Sequence, residues 1–277
     1  MPAEARARRD AFFAAIGKTP LIMGILNLTP DSFSDGGRFQ SPDLALAHAR
    51  RMVEEGCAIV DIGAESTRPE ATPVTERQEI ARLAPALEEI FKGLDVAVSI
   101  DTTKATVAAM ACRLGAIIVN DIWGLQKDPG MADAAAEAEA GVVITHNRAE
   151  KDESIDIIAD MRRFFDRSLE IAAKAGVSPT RIILDPGIGF AKTARQNLQA
   201  VAGIAKFGDY GLPVLVGASR KRFLGSLTGN GVEGSLVGSI AVNLAAAAAG
   251  AAIFRVHDVA ENAAALNLYA RLRAAAA

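Results

Sequence analysis

The sequence is short of several things, and each shortage removes a class of function. No apolar run reaches the roughly 18–20 residues that a membrane span requires. The nearest, AVNLAAAAAGAAIF at 241–254, is alanine-rich and broken by Gly250, and reads as a buried helix running into a strand. The two cysteines, Cys57 and Cys112, form no CxxC pair. They read as small buried hydrophobes in a reducing cytoplasm, with no disulfide framework. The three histidines show no HxH or HExxH spacing that would support zinc. One Trp and two Tyr leave few aromatic platforms for a sugar. The formal charge of −3 argues against a general nucleic-acid binder, which is usually basic. No GxGxxG follows an apolar run, and no GxxxxGK[ST] occurs, so nucleotide-binding readings lose their usual support. No Pro/Ser-rich linker divides the chain. The first 17 residues mix Arg with Glu4 and Asp10, lack a long apolar stretch, and do not read as a secretory leader.

What is there is repetition. Eight short apolar runs recur, and nearly every one ends in a polar residue suited to chemistry. They are LIMGIL to Asn27, AIVDIG with Asp61, VAVSI to Asp101, AIIV to Asn120, VVIT to His146 and RIIL to Asp185. PVLVG then leads to Ser219-Arg220-Lys221, and AAIF to Arg255 and His257. Between them lie stretches of helical periodicity at about 42–55, 75–92, 103–114, 129–139, 156–175, 195–206, 220–227 and 234–250. Gly56, Gly115 and Gly176 stand where helices should stop. Eight βα units within 277 residues fit one (β/α)8 TIM barrel, a single domain over 1–277 with a short helical extension at 1–18. A doubly wound sheet is the competing fold, but it would gather its chemistry at one switch point instead of after every strand.

A barrel builds its site at the C-terminal strand ends, so these terminal residues are the candidates. Asp101, Asn120 and Asp185 directly end apolar runs and could bind a flat heterocycle, since a carboxylate accepts two hydrogen bonds from a 2-amino-pyrimidinone edge. Paired carboxylates also suit a glycosidase, against which the scarcity of aromatics counts. Asn27 offers a neutral oxygen to Mg2+. Arg68, in the second loop, is a plausible phosphate ligand through its planar fork. Ser219-Arg220-Lys221-Arg222 gathers three cations at a helix start, beside Arg255 and His257 after the eighth strand, where barrels commonly bind phosphate. Phe190, in the glycine-rich sixth loop, could wall a pocket for a small aromatic.

The stretches MGILNLTPDSFSDGG, DIGAESTRP, SIDT, NDIWGL, DPGIGF, GASRK and RVHDV, in order along the chain, resemble the dihydropteroate synthases of the pterin-binding family. The resemblance implies transfer of a dihydropterin-methyl group from its pyrophosphate ester to the amine of p-aminobenzoate, by early loss of pyrophosphate. It implies catalytic roles for Asp101, Asp185 and Lys221, and a pterin pocket of Asp101, Asn120, Asp185 and Lys221. It implies pyrophosphate contacts from Asn27, Arg68, Arg255 and His257, with Asn27 on Mg2+. It assigns p-aminobenzoate to Phe33, Thr67, Arg68, Pro69, Phe190, Lys221 and Arg222. A cytoplasmic homodimer and sensitivity to sulfonamides follow from the same likeness. Three departures stand out. Glu70 replaces a common Gly, Thr145-His146-Asn147-Arg148 replaces a Met-rich segment, and Arg222 replaces a Ser, leaving the p-aminobenzoate carboxylate to its charge or to helix N–H groups. A methyltetrahydrofolate:corrinoid methyltransferase shares the barrel and pterin pocket but has no pyrophosphate to bind. A non-catalytic pterin-binding barrel, or a barrel for another phosphate substrate, are the remaining alternatives.

Overall fold

A computed structural model describes residues 1–29, 41–65, 73–229 and 231–276, with 231–234 described by backbone alone. The expected positions Phe33, Thr67, Arg68, Pro69 and Glu70 lie outside the described residues.

Eight parallel strands form the barrel: β1 (Leu21–Asn27), β2 (Ile59–Gly63), β3 (Ala97–Asp101), β4 (Ile118–Asp121), β5 (Gly141–Thr145), β6 (Ile182–Asp185), β7 (Leu215–Val216) and β8 (Ile253–Val256). Their order is β6-β5-β4-β3-β2-β1-β8-β7. A parallel bridge from Leu184 to Val214, with the Leu184 N–H donating to Pro213 O at 2.9 Å, joins β6 to β7 and closes the ring. The helices are α1 (Ala3–Ala15), α2 (Pro42–Glu54), α3 (Glu76–Gly93), α4 (Ala105–Leu114), α5 (Met131–Glu137), α6 (Ile157–Ala175), α7 (Ala194–Ala202), α8 (Arg222–Thr228), α9 (Gly231–Ala248) and α10 (Val259–Ala275).

Local signals start and stop these helices. Thr75 with Gln78, and Thr193 with Gln196, make reciprocal capping boxes, and Asp156 accepts from the N–H groups of Ile158 and Ala159. Gly176 ends α6 at φ +84°, a turn that costs glycine little. Helix α10 carries no sequence signal of its own: its run AENAAALNLYARLRAA distributes alanine on every side, so no stripe of period 3.6 marks it.

Strand parity creates the site. Side chains alternate across a strand, so every second residue faces the barrel axis. Ile22, Val60, Val98, Val119, Val142, Leu184 and Phe254 face outward and pack under the helices in the larger core. Met23, Ile59, Ile118, Val143, Ile183, Leu215 and Ile253 face inward and fill the lower barrel, which Ala5 and Phe12 of α1 plug from below. The inward positions one step higher are Asp61, Ser99, Asn120, Thr145, Asp185 and Arg255. The apolar plug therefore gives way to a polar tier within one pleat.

Candidate functional site

The ladders bring the polar tier together. In register, Asp61 pairs with Ser99, Asp101 with Asn120, and Thr145 with Asp185. Arg255 reaches across from β8. Its Nε donates to Asp61 Oδ2 and its Nη2 to Asp101 Oδ2, both at 2.6 Å. Asn120 Nδ2 donates to the same Asp61 oxygen at 3.0 Å. Asp61 is fully buried and acts as the hub of this floor. Its other oxygen, together with Ser99 Oγ and Thr145 Oγ1, is buried without a partner among the described residues. Buried polar atoms are normally satisfied, so these three invite a polar ligand or water.

Around the floor, three carboxylates (Asp61, Asp101, Asp185) face two cations (Arg255, Lys221). Burial pushes Asp101 up to about 7, against the pull of Arg255. Burial also lifts Asp185 to about 6, although the Gly187 N–H donates to its Oδ1 at 2.7 Å. Burial with the nearby Arg255 brings Lys221 down to about 8. Burial alone would lower Arg255, yet Asp61 and Asp101 hold it above its ordinary value. Carboxylates at pKa 6–7 in a concave mouth are typical of working sites.

The sixth loop is built tightly over this floor. Gly187 takes φ +64°, and a Cβ there would lie 1.9 Å from His146 O. Lys192, buried, donates from Nζ to the carbonyls of Gly187 at 2.8 Å, Phe190 at 3.2 Å and His146 at 3.3 Å. With no carboxylate among these bonds, burial lowers its ammonium to about 7. Sequence reasoning overlooked Lys192, because a lone loop lysine ordinarily reads as solvated. The Lys221 ammonium stands 4.3 Å from the centroid of Phe190, a cation–π approach that joins the sixth and seventh loops.

The expected anion cluster does not form as one patch. Arg220 turns to Asp258, Lys221 turns inward over Phe190, and Arg222 opens α8 on the exposed side. Three successive residues around a tight turn cannot share one direction. Arg255, expected on pyrophosphate, is held at the floor by two carboxylates. His257 sits with Nδ1 3.1 Å from Ser219 Oγ, and burial plus Arg255 lowers it to about 4, so the imidazole is neutral at pH 7 rather than cationic. His146 is buried against Phe164 and Phe165 with Nε2 3.2 Å from Asp160, and burial lowers it to about 3. His48 is half-buried on α2. Cys57 and Cys112 are free and buried, and burial lifts their thiols to about 11 and 12.

Asn27 ends β1 opposite Gly63, half-buried at the mouth. No group of three or more His, Cys, Asp or Glu converges on a metal position among the described residues. One amide oxygen, with Asp61 and Asp101 committed to Arg255, fits a Mg2+ that arrives on a diphosphate and keeps its waters, and does not fit a protein-caged ion.

The chain is similar to known proteins over most of its length. Residues 23–257 match the pterin binding enzyme family. The dihydropteroate synthase of Bacillus subtilis is 48% identical over 239 residues, covering 86% of this chain and 84% of that protein. The structure of a dihydropteroate synthase from Clostridium difficile, determined in the presence of pteroic acid, superposes with a TM-score of 0.90 at 42% identity, covering 93% of this chain and 98% of that one. A Xanthomonas albilineans dihydropteroate synthase with 4-aminobenzoic acid gives 0.88 at 40% identity, covering 92% and 94%. Likeness of this depth, running through every strand that contributes to the polar tier, means that the chain belongs to the pterin binding enzyme family.

Proposed function

We propose that the protein is a dihydropteroate synthase, joining 6-hydroxymethyl-7,8-dihydropterin pyrophosphate to p-aminobenzoate to give dihydropteroate and pyrophosphate. The observation that carries this reading is the inward polar tier, with carboxylates, an amide and two cations above an apolar plug. A pterin presents a flat edge of N–H donors and acceptors, and this tier supplies their complements. The second oxygen of Asp185 and the carboxylate of Asp101 take ring N–H groups. Asn120 and Lys221 take the remaining polar edge.

The reaction breaks the C–O bond of the pterin methylene, and its electron pair leaves with pyrophosphate. The cation left on the pterin lies among Asp61, Asp101 and Asp185, whose excess of negative charge stabilises it where it forms. The aniline-type amine is neutral at pH 7, attacks the methylene to form the C–N bond, and gives its surplus proton to water or pyrophosphate. Asn27, Arg68, Arg255 and His257 bind the leaving anion, with Arg255 having to share its guanidinium with two carboxylates. Bound Mg2+, held by Asn27 and pyrophosphate oxygens, would neutralise leaving-group charge. Phe190, Lys221 and Arg222, with Phe33, Thr67, Arg68 and Pro69, hold p-aminobenzoate.

The protein works as a homodimer in the cytoplasm. Val237, Ala241, Ala245 and Ala248 form an exposed apolar stripe on α9, and Leu198 of α7, 47% exposed, borders it. No described helix is long and apolar enough to cross a membrane.

The test is pyrophosphate release from purified protein given the pterin substrate and Mg2+. With p-aminobenzoate present, release should be matched by dihydropteroate formation; both should fall by about 100-fold or more in Lys221→Ala and Asp101→Ala, and dihydropteroate formation should be competitively inhibited by a sulfonamide. No dihydropteroate formed when both substrates are supplied and pterin binding is retained would rule the synthase out.

A further inference from the structure

We propose that Arg220 is a positioning residue: clamped to Asp258, it holds the turn that delivers Lys221 and Ser219 to the mouth, and it does not itself bind an anion. The proposal rests on the synthase reading above.

Residues 218–221 form a tight turn, closed by the Lys221 N–H donating to Ala218 O at 3.3 Å. Arg220 occupies its third position at φ +55°. Turns with positive φ there ordinarily carry glycine, because an L side chain crowds the backbone. A non-glycine residue keeps such a conformation only when its surroundings over-determine it.

Two sets of contacts do so. The Arg220 N–H donates to Ser239 Oγ at 3.1 Å, and that hydroxyl is itself oriented by donating to Ser235 O at 2.6 Å. The Arg220 guanidinium meets Asp258 fork to fork, Nε on Oδ2 at 3.0 Å and Nη2 on Oδ1. Asp258 is fixed in turn, because its carbonyl accepts from Asn262 Nδ2 at 2.7 Å on α10. Paired planar donors and acceptors restrict both angle and distance, so the clamp sets backbone geometry as well as charge.

The residues on either side are the ones that matter for the site. Ser219 Oγ accepts from the His257 N–H at 3.1 Å. Lys221 crosses to Phe190, and a Cβ on Gly189 would lie only 2.8 Å from Lys221 Cδ. That close passage leaves Lys221 little freedom to compensate for a changed turn. If Arg220 relaxed to negative φ, Lys221 would swing off Phe190 and away from the floor. The guanidinium fork, meanwhile, is already committed to a carboxylate, which leaves it poorly placed to hold an anion.

The two roles separate on an uncharged ligand. Affinity for 6-hydroxymethylpterin and for inorganic pyrophosphate is measured by calorimetry in wild type, Arg220→Ala, Arg220→Gly, Asp258→Asn and the Arg220→Ala/Asp258→Asn double variant. Positioning predicts that Arg220→Ala and Asp258→Asn each weaken the neutral pterin by a similar factor, about tenfold, and that the double variant is no worse than either. Arg220→Gly should lose less, since glycine accepts +55° freely. An unchanged pterin affinity, with pyrophosphate weakened in Arg220→Ala alone, would overturn the proposal. Wild type that binds pterin without making dihydropteroate would remove the synthase reading and leave this comparison intact. If wild type binds no pterin, the crystal structure of Asp258→Asn decides: a displaced Lys221 supports the clamp, and Lys221 still over Phe190 refutes it.

Discussion

Asp185 ends β6 with one carboxylate oxygen occupied by the Gly187 N–H and burial raising it to about 6. With the Gly187 N–H on one oxygen, a ligand N–H on the other is accepted best when the Asp185 carboxyl is ionised, because a proton there would turn that oxygen into a donor. With Asp185 near 6 and Asp101 near 7, pterin affinity should rise with pH through 5 to 7, because the ligand selects the deprotonated carboxylates, and should decline as Lys221 loses its proton near 8. Calorimetry in buffers of different ionisation heat should record proton release at pH 6. Asp185→Asn should lose about 10- to 100-fold in pterin affinity, the range for a charged hydrogen-bond partner, and should flatten the lower part of the profile. An affinity constant from pH 5 to 8 would refute this. His257 should behave oppositely. Neutral in the free protein because burial and Arg255 lower it to about 4, it should move up when pyrophosphate binds, since an anion favours the charged imidazole. NMR titration of three histidines can resolve this directly. A His257 whose pKa stays near 4 with pyrophosphate present would place the anion elsewhere.

At the scale of elements, the loop after β6 is the most over-determined piece of the site. Gly187 answers two demands at once, a positive φ and close passage of the His146 carbonyl. Gly187→Ala should therefore cost more than about 2 kcal/mol in urea unfolding, from left-handed strain and a forced backbone shift. Gly208→Ala, with nothing within 4 Å of the added methyl, provides the control and should change stability by less than about 1 kcal/mol. Equal effects at the two positions would show that the loop yields. Lys104 fastens another element, donating from Nζ to Glu65 at 2.6 Å and to fully buried Glu79 at 2.5 Å. Glu65 also accepts from the Val74 N–H at 3.0 Å, so it ties the two ends of the second loop together.

At the scale of the whole molecule, the apolar stripe on α9 lies on the barrel wall, while the polar tier opens at the strand ends. An exposed stripe of this kind on a helix that is apolar on most sides is where the proposed dimer would pack. Leu198→Glu with Val237→Glu should convert a dimer to a monomer in light scattering at micromolar concentration. A monomeric wild type would refute the assembly.

The sequence by itself determined the barrel, because eight apolar runs separated by helical periods have few other ways to bury themselves. It also determined most of the mouth, because parity makes the residue ending each run face either the axis or the wall. Asp101, Asn120 and Asp185 were legible on that ground. Asp61, two residues before the end of its strand, was legible only as a neighbour, and its place as the hub depends on Arg255, 194 positions away. Tertiary structure alone decided which charges meet. It sent Arg220, Lys221 and Arg222 in three directions, buried Lys192 among carbonyls, and left His257 neutral. The physical reason is range. Side-chain alternation is a local rule of period two, whereas ion pairing and desolvation depend on distances that only the closed ring fixes.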